Sequence, residues 1–208
     1  MAKDLPPLVI HLDLNELLEL NQVLEQASSG LIARGEVISK DPSRDSKILK
    51  VVVDLFQPLA AELTIKLGDG TGSDRFLKAA YAWGLDPEIG GMSAQGVTRS
   101  KLEKFSRMAA DTGKPVTGYI FEGVIANWIM DYLGSKPVSV NNIFGTTIAH
   151  ELGHQLGLGH EKGAGDIMFV FDGESRGNQI NWLRSAERDA LSFTDAQIKK
   201  MQSLLSTP

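Results

Sequence analysis

The densest chemistry in the chain lies between residues 150 and 160, which read His-Glu-Leu-Gly-His-Gln-Leu-Gly-Leu-Gly-His. Three of the four histidines fall inside this run. On a helix, residues four apart share a face, so His150 and His154 can offer their imidazoles to one ion. His160 follows six residues later, and a straight helix would not bring it round. Gly157 offers the means, because glycine accepts the left-handed conformation that ends a helix and turns the chain back. Gly159 adds freedom just before the third histidine. Three neutral imidazoles, with a fourth position left to water, form a donor set that suits zinc. Glu151 is then not needed as a ligand. It is placed to accept a proton from a water acidified by the metal and to return it to a leaving amine, with a peptide carbonyl as the group attacked. His-Glu-x-x-His alone recurs by chance. Gly157 and His160 add two fixed positions, each matched at random a few times in a hundred, glycine being roughly 7% of residues.

The element that must carry these residues is a helix over 142–156. Phe144, Ile148, Leu152 and Leu156 recur every four residues as its apolar back, with His150 and His154 on the opposite side. Such a helix, packed behind and metal-facing in front, belongs in the middle of the molecule. A second well-marked helix closes the chain: Thr194 and Gln197 have capping-box spacing, and Ile198, Met201, Leu204 and Leu205 form its buried stripe. Residues 8–12, 48–56, 62–67 and 116–121 are rich in β-branched and aliphatic residues and predict strands. A helix is predicted over 14–28 from Asp13 and Glu16 at capping spacing and from Leu17, Leu20, Leu24 and Ala27. A short helix is expected from the turn cluster at 68–74 to Gly84, then Gly-rich loop over 84–97. Leu102, Phe105, Met108 and Ala109 predict a helix ending at Gly113.

The 208 residues fit one domain, with 42% hydrophobic and 23% charged residues, ordinary for a globular chain. There is no cysteine, so disulfides, thiolate metal sites and latency through a cysteine ligand in this chain are excluded. The net charge of −5 includes no basic block, which argues against a nucleic-acid partner. The N-terminal residues lack the pattern of a signal peptide and no stretch approaches a membrane span. The expectation is a protein that works where it is made, leaves without a standard leader, or has had its leader removed. No membrane partner is expected, and a monomer is.

The pattern His-Glu-x-x-His-x-x-Gly-x-x-His resembles that of the metzincins, zinc peptidases with a methionine turn beneath the metal. Met168, in Asp166-Ile167-Met168 and eight residues after His160, offers that methionine. The spacing is similar to that of the matrixins, the matrix-metalloproteinase group. The run 142–150 and the closing segment 193–204, with Asp195, Ile198 and Gln202, also resemble matrixin sequence. The match covers about 140–208. The resemblance implies an α+β, metzincin-type fold in a single domain, 1–208. Its upper lobe, 1–157, would hold a mostly parallel, twisted five-stranded sheet with helices, ending in the zinc helix. Its small lower lobe, 158–208, would hold the methionine turn and closing helix. It further implies one catalytic zinc on His150, His154 and His160, with Glu151 as acid–base residue and Gly157 and Met168 structural. An extended peptide or protein substrate would pair with an edge strand, for which 116–121, including Tyr119 and Ile120, is the candidate. Phe169, Val170 and Phe171 would line the pocket for the residue after the scissile bond, or alternatively pack as core. Glu161 follows the third histidine where matrixins carry Ser, as in astacins, whose tyrosine ligand corresponds to Val170. Met168 is not followed by Tyr-Pro, and the cysteine-based second zinc site of archaemetzincins has no counterpart.

Other features carry less. His11, in a strand-like run, is expected to be structural. Asp69 and Asp74 could wrap a structural calcium, but without EF-hand spacing an ordinary turn is the stronger reading. Residues 172–177 read as a polar loop at the cleft rim, and nothing in the spacing brings Tyr119 or Tyr132 to the metal. Besides an endopeptidase, the residues allow a zinc amidohydrolase acting on a small substrate or a weakly catalytic, zinc-holding peptide-binding domain. Glu151 argues against the last.

Overall fold

The computed structural model describes residues 7–14, 43–68, 75–80, 96–98, 116–121, 125, 129–133, 139–171 and 173–206. In chain order the described elements are β1 (Leu8–Asp13), α1 (Arg44–Leu55), a 3-10 turn (Gln57–Leu59), β2 (Leu63–Leu67), β3 (Arg75–Ala80), β4 (Gly96–Thr98) and β5 (Val116–Phe121). A π-helical turn (Ile129–Leu133) leads to α2 (Val140–Gln155), α3 (Arg176–Glu187) and α4 (Asp195–Leu205). The α+β class expected from the sequence is met at this level.

The strands form one sheet in the order β2-β1-β3-β5-β4. The β1–β2, β1–β3 and β3–β5 pairs are parallel and β4–β5 is antiparallel. Leu8, Ile10 and Leu12 alternate into the core from β1, with the intervening residues less buried, as the two-residue period of a strand requires. His11 sits in β1, paired with Lys66 and Phe76 and remote from the other histidines in sequence.

Residues 116–121 form a strand as predicted, yet not an edge. β5 lies between β3 and β4, and Gly118, Tyr119 and Ile120 pair with Thr98, Val97 and Gly96. Among the described residues, β4 ends the sheet on this side. Two further readings are corrected. Residues 48–56, predicted as a strand from Ile-Leu-Lys-Val-Val-Val, belong to helix α1 and the turn after it. The buried residues Arg44, Ile48, Val51 and Val52 recur at helical spacing, and Lys50 pairs with Asp54 one turn on. Burial of one face outweighs the strand preference of β-branched side chains, which is small and context-dependent. Residues 75–80, expected as the start of a short helix, are strand β3 because two parallel neighbours claim their backbone groups. The helices expected over 14–28 and 102–113, and Asp69 and Asp74, lie outside the described residues, as does most of the loop expected over 84–97; its last two residues, 96 and 97, are not loop but strand β4, paired with β5.

Helix α2 runs through the centre. Phe144, Ile148, Leu152 and Leu156 are all at most 1% exposed, and α2 packs against α1, α3, β4 and β5. Its approach to α1 is close: a Cβ on Gly145 would lie 2.6 Å from the Val51 side chain. Below it, the Phe56 ring at the end of α1 meets Phe193, just before α4, with centroids 4.9 Å apart. No helix among the described residues is long and apolar enough to cross a membrane.

Candidate metal centre

The end of α2 is a Schellman turn. Gly157 N–H donates to His154 O at 3.0 Å, Leu158 N–H donates to Gly153 O at 2.9 Å, and Gly157 has φ +84°. Those are the paired bonds of a helix closed by a left-handed residue. A side chain at 157 would be strained by that φ and would place its Cβ 2.5 Å from Leu204 Cδ1 on α4. Gly159 does not share this role: it is not among the positive-φ glycines, and a Cβ there would meet nothing. One glycine is enough to redirect the chain so that His160 faces His154.

The same turn aims the second histidine. His154 Nδ1 donates to the carbonyl of Leu158 at 2.9 Å, and His150 Nδ1 donates to the carbonyl of Ile167 at 2.8 Å. A carbonyl can only accept, so both rings hold their proton on Nδ1 and present the Nε2 lone pair. His154 Nε2 lies 3.0 Å from His150 Nε2 and 3.1 Å from His160 Nε2. An ion about 2.0–2.1 Å from each of two nitrogens, at the tetrahedral angle, sets them about 3.3 Å apart. Facing lone pairs at this separation repel unless a cation lies between them. Geometry and donor chemistry therefore fit a metal, and His150, His154 and His160 form a group able to hold one.

The electrostatics agree. His150 and His154 are partly buried and His160 is exposed. Burial lowers the pKa of all three; for His150 it falls to about 3, the repulsion of a protonated His154 adding to burial and the Ile167 carbonyl opposing it. Neutral imidazole is the form that binds a metal. Glu151, next to His150 on α2, is a buried carboxylate at 4% exposure.

Beyond His160 the chain closes a loop under the histidines. Glu161 N–H donates to Met168 O at 2.8 Å and Val170 N–H to Glu161 O at 3.1 Å, a parallel bridge between Glu161 and Phe169. Met168 is fully buried, and a Cβ on Gly153 would lie 2.6 Å from its Sδ. Gly153 thus lets the methionine seat against the helix between the two histidines. Sequence reasoning overlooked it, although a glycine inside a helix costs roughly 1 kcal/mol relative to alanine and asks for a reason.

The residues expected to line a substrate pocket separate. Ile120 (0% exposed) and Phe169 (2%) are core, whereas Val170 and Phe171 are partly exposed. Phe171 contacts Phe169 edge-on and meets Trp182 of α3 at 5.6 Å. For Tyr119 the structure gives the backbone pairing alone. Tyr132 lies in the π-helical turn with the Arg176 guanidinium 5.1 Å above its ring. Helix α3 corrects the reading of 172–177 as loop at residues 176 and 177, and no sequence signal above predicts the rest of it. Ser175 caps it by accepting from Asn178 N–H at 3.3 Å. Its end is a left-handed Asp189 (φ 56°) rather than a glycine, so the usual stop signal is lacking.

No protein-family profile matches the chain, and no curated protein matches its sequence. Among solved structures, archaemetzincin from Methanopyrus kandleri aligns over 96% of this chain and 96% of that chain, with 13% identity and a TM-score of 0.49.

Proposed function

We propose that this chain is a zinc-dependent endopeptidase of the metzincin type, in which His150, His154 and His160 hold the metal and Glu151 is the acid–base residue. The observation that carries the reading is the convergence of the three Nε2 atoms, with the Nδ1 protons of His150 and His154 committed to carbonyls. When bound, zinc supplies Lewis acidity, polarising a carbonyl and acidifying water at the one position that three histidines leave open. Glu151 takes up the proton of the attacking water on a carboxylate oxygen and delivers it to the leaving nitrogen. Its position one residue from a ligand and its burial support that role. Met168, packed under Gly153, acts as the methionine turn that floors the site.

An extended polypeptide is the substrate class. Strand β4, which ends the sheet among the described residues and packs beside α2, rather than 116–121, is the edge that pairs with it. Val170 and Phe171, the partly exposed members of the 169–171 run, favour an apolar side chain after the scissile bond.

The test is cleavage of an unstructured protein by the zinc-loaded chain, with and without chelator. Glu151→Gln is expected to retain one zinc and lose activity by about 100-fold or more, while His154→Ala loses the zinc. If the zinc-loaded wild type cuts nothing that Glu151→Gln leaves intact, the peptidase reading fails.

A further inference from the structure

Gln197 stands in the first turn of α4 and completes its capping box: Gln197 N–H donates to Thr194 Oγ1 at 3.3 Å, and Gln197 Oε1 accepts from Thr194 N–H at 2.9 Å. A capping glutamine needs no more than that, and most such caps sit at the surface. Gln197 is 7% exposed, so its remaining amide protons need partners inside the protein. They find one carboxylate. Nε2 donates to Asp166 Oδ1 at 3.0 Å and to Oδ2 at 3.2 Å.

Asp166 is not a passive acceptor. Its Oδ1 also accepts from Met168 N–H at 2.7 Å, closing a turn across Ile167. Its backbone carbonyl accepts from Trp182 Nε1 at 3.1 Å, and Met168 O accepts from Glu161 N–H. The three residues 166–168 are thereby fastened from α4, from α3 and from the strand-like residue after His160. Between those fastenings lies the Ile167 carbonyl, which takes the Nδ1 proton of His150 at 2.8 Å. An unbroken path of contacts runs from the cap of the last helix to the tautomer and angle of the first metal ligand.

We infer that Gln197 is a positioning residue for the metal centre, acting through the Asp166 carboxylate and the Ile167 carbonyl on His150. The inference rests on the metal-site reading above, and goes beyond it by placing control of that site in the closing helix. Partners one step removed from a metal ligand fix ring orientation and basicity, and their loss typically weakens metal binding about 10–100-fold.

The contacts allow the cap and the link to be cut apart. Gln197→Glu keeps an acceptor for Thr194 N–H, since Glu serves a capping box as well as Gln, but turns the donor facing Asp166 into a second acceptor. Asp166→Asn keeps an oxygen for Met168 N–H and for the 3.0 Å bond from Gln197, and sets an amide against the Gln197 amide only at the second, 3.2 Å contact. Combining the two reverses donor and acceptor at that second contact and restores a bond there, which Gln197→Glu alone lacks. The experiment is a titration of the metal-free protein with cobalt(II), read by the visible absorption of the tetrahedral ion, alongside far-UV circular dichroism. Wild type is expected to give the tetrahedral band. Gln197→Glu, which loses both contacts, should bind cobalt several-fold more weakly, up to about the tenfold seen for a direct partner of a ligand; Asp166→Asn should lose less, and the double variant should bind more tightly than Gln197→Glu. A merely structural Gln197 would weaken binding only as far as folding is lost, with no recovery in the double variant. Two folded single variants that bind cobalt like wild type, or a double variant no better than Gln197→Glu, would overturn the inference. If Gln197→Glu does not fold, Asp166→Asn and the double variant carry the comparison. Failure of wild type to give the band would instead count against the metal site itself.

Discussion

Substituting Gly157 tests the turn on which the third proposed ligand, His160, depends, and its cost can be worked from two separate observations. The residue has φ +84°, and holding an L-residue in the left-handed region costs roughly 1–2 kcal/mol. A new Cβ would also lie 2.5 Å from Leu204 Cδ1. Leu204 is only partly buried, so its tip can turn aside, and this contact adds up to about 1 kcal/mol, the low end for overpacking. Gly157→Ala should therefore lose about 2 kcal/mol, and at roughly 2–4 °C per kcal/mol for a chain of this size its metal-free melting temperature should fall by about 4–8 °C. Gly157→Asn meets the same Leu204 contact but tolerates the left-handed region better, so it should fall less. Leu204→Ala removes the contact and should recover part of the Gly157→Ala loss in a double-mutant cycle. Urea denaturation of the five proteins gives the free energies, and chelator competition gives the zinc affinity, which should fall with Gly157→Ala as His160 moves. Equal stability for the Ala and Asn variants and wild type would refute the assignment of both strain and contact.

Three further outcomes follow from the same geometry. Gly153→Ala should displace Met168, since both Met168 and Phe193 crowd the new Cβ; overpacking of about 1–3 kcal/mol, less the roughly 1 kcal/mol by which alanine favours a helix, leaves a modest net loss by denaturation. A zinc affinity unchanged from wild type would show that the methionine does not steady the ligands. In the metal-free protein the folded histidines resist protonation, with His150 at about 3, while unfolded histidines take up protons below about 6.5. Folding stability should be level above that pH and fall as the pH drops below it, by up to about 1.4 kcal/mol per pH unit for each histidine kept neutral; a melting temperature that does not decline between neutral and mildly acid pH would sink this account. Trp182→Phe removes one of two donors to Asp166 O, the other being Phe169 N–H at 3.2 Å, from a side chain 1% exposed, and should cost about 0.5–1.5 kcal/mol by denaturation, the net worth of one hydrogen bond; no loss would mean that the Phe169 bond alone holds the carbonyl.

The candidate site was legible where local rules are strong. Ligands at positions i and i+4, a glycine needed to turn the chain and a capping box each have a short-range cause, and α2, Gly157 and α4 emerged close to their predicted limits. The fold was less legible where partners distant in sequence decide. The Val-Val-Val of α1 is a strand by composition and a helix by burial. Arg75–Ala80 has little strand character and becomes the middle of the sheet because β1 and β5 flank it. The order of β4 and β5 could not be read from either segment: two short strands carry no local mark of which is outermost. The end of α3 shows the remaining kind of failure, a left-handed aspartate standing where glycine was the signal sought.

The candidate metal centre divides along the same line. The three imidazoles come from one run of eleven residues, so the kinds of donor are local information. Their orientation is not. His154 takes its direction from the Leu158 carbonyl, which exists in that place only because Gly157 turns the helix end. His150 takes its direction from the Ile167 carbonyl, held by residues on α3 and α4 that lie 15 to 30 positions further along. A chain that kept the motif but left its last two helices undocked would keep every ligand and lose the angle of the first. Metal affinity should therefore report docking of the C-terminal helices as much as it reports the motif, and burial adds to the effect by keeping the rings neutral once the site is assembled.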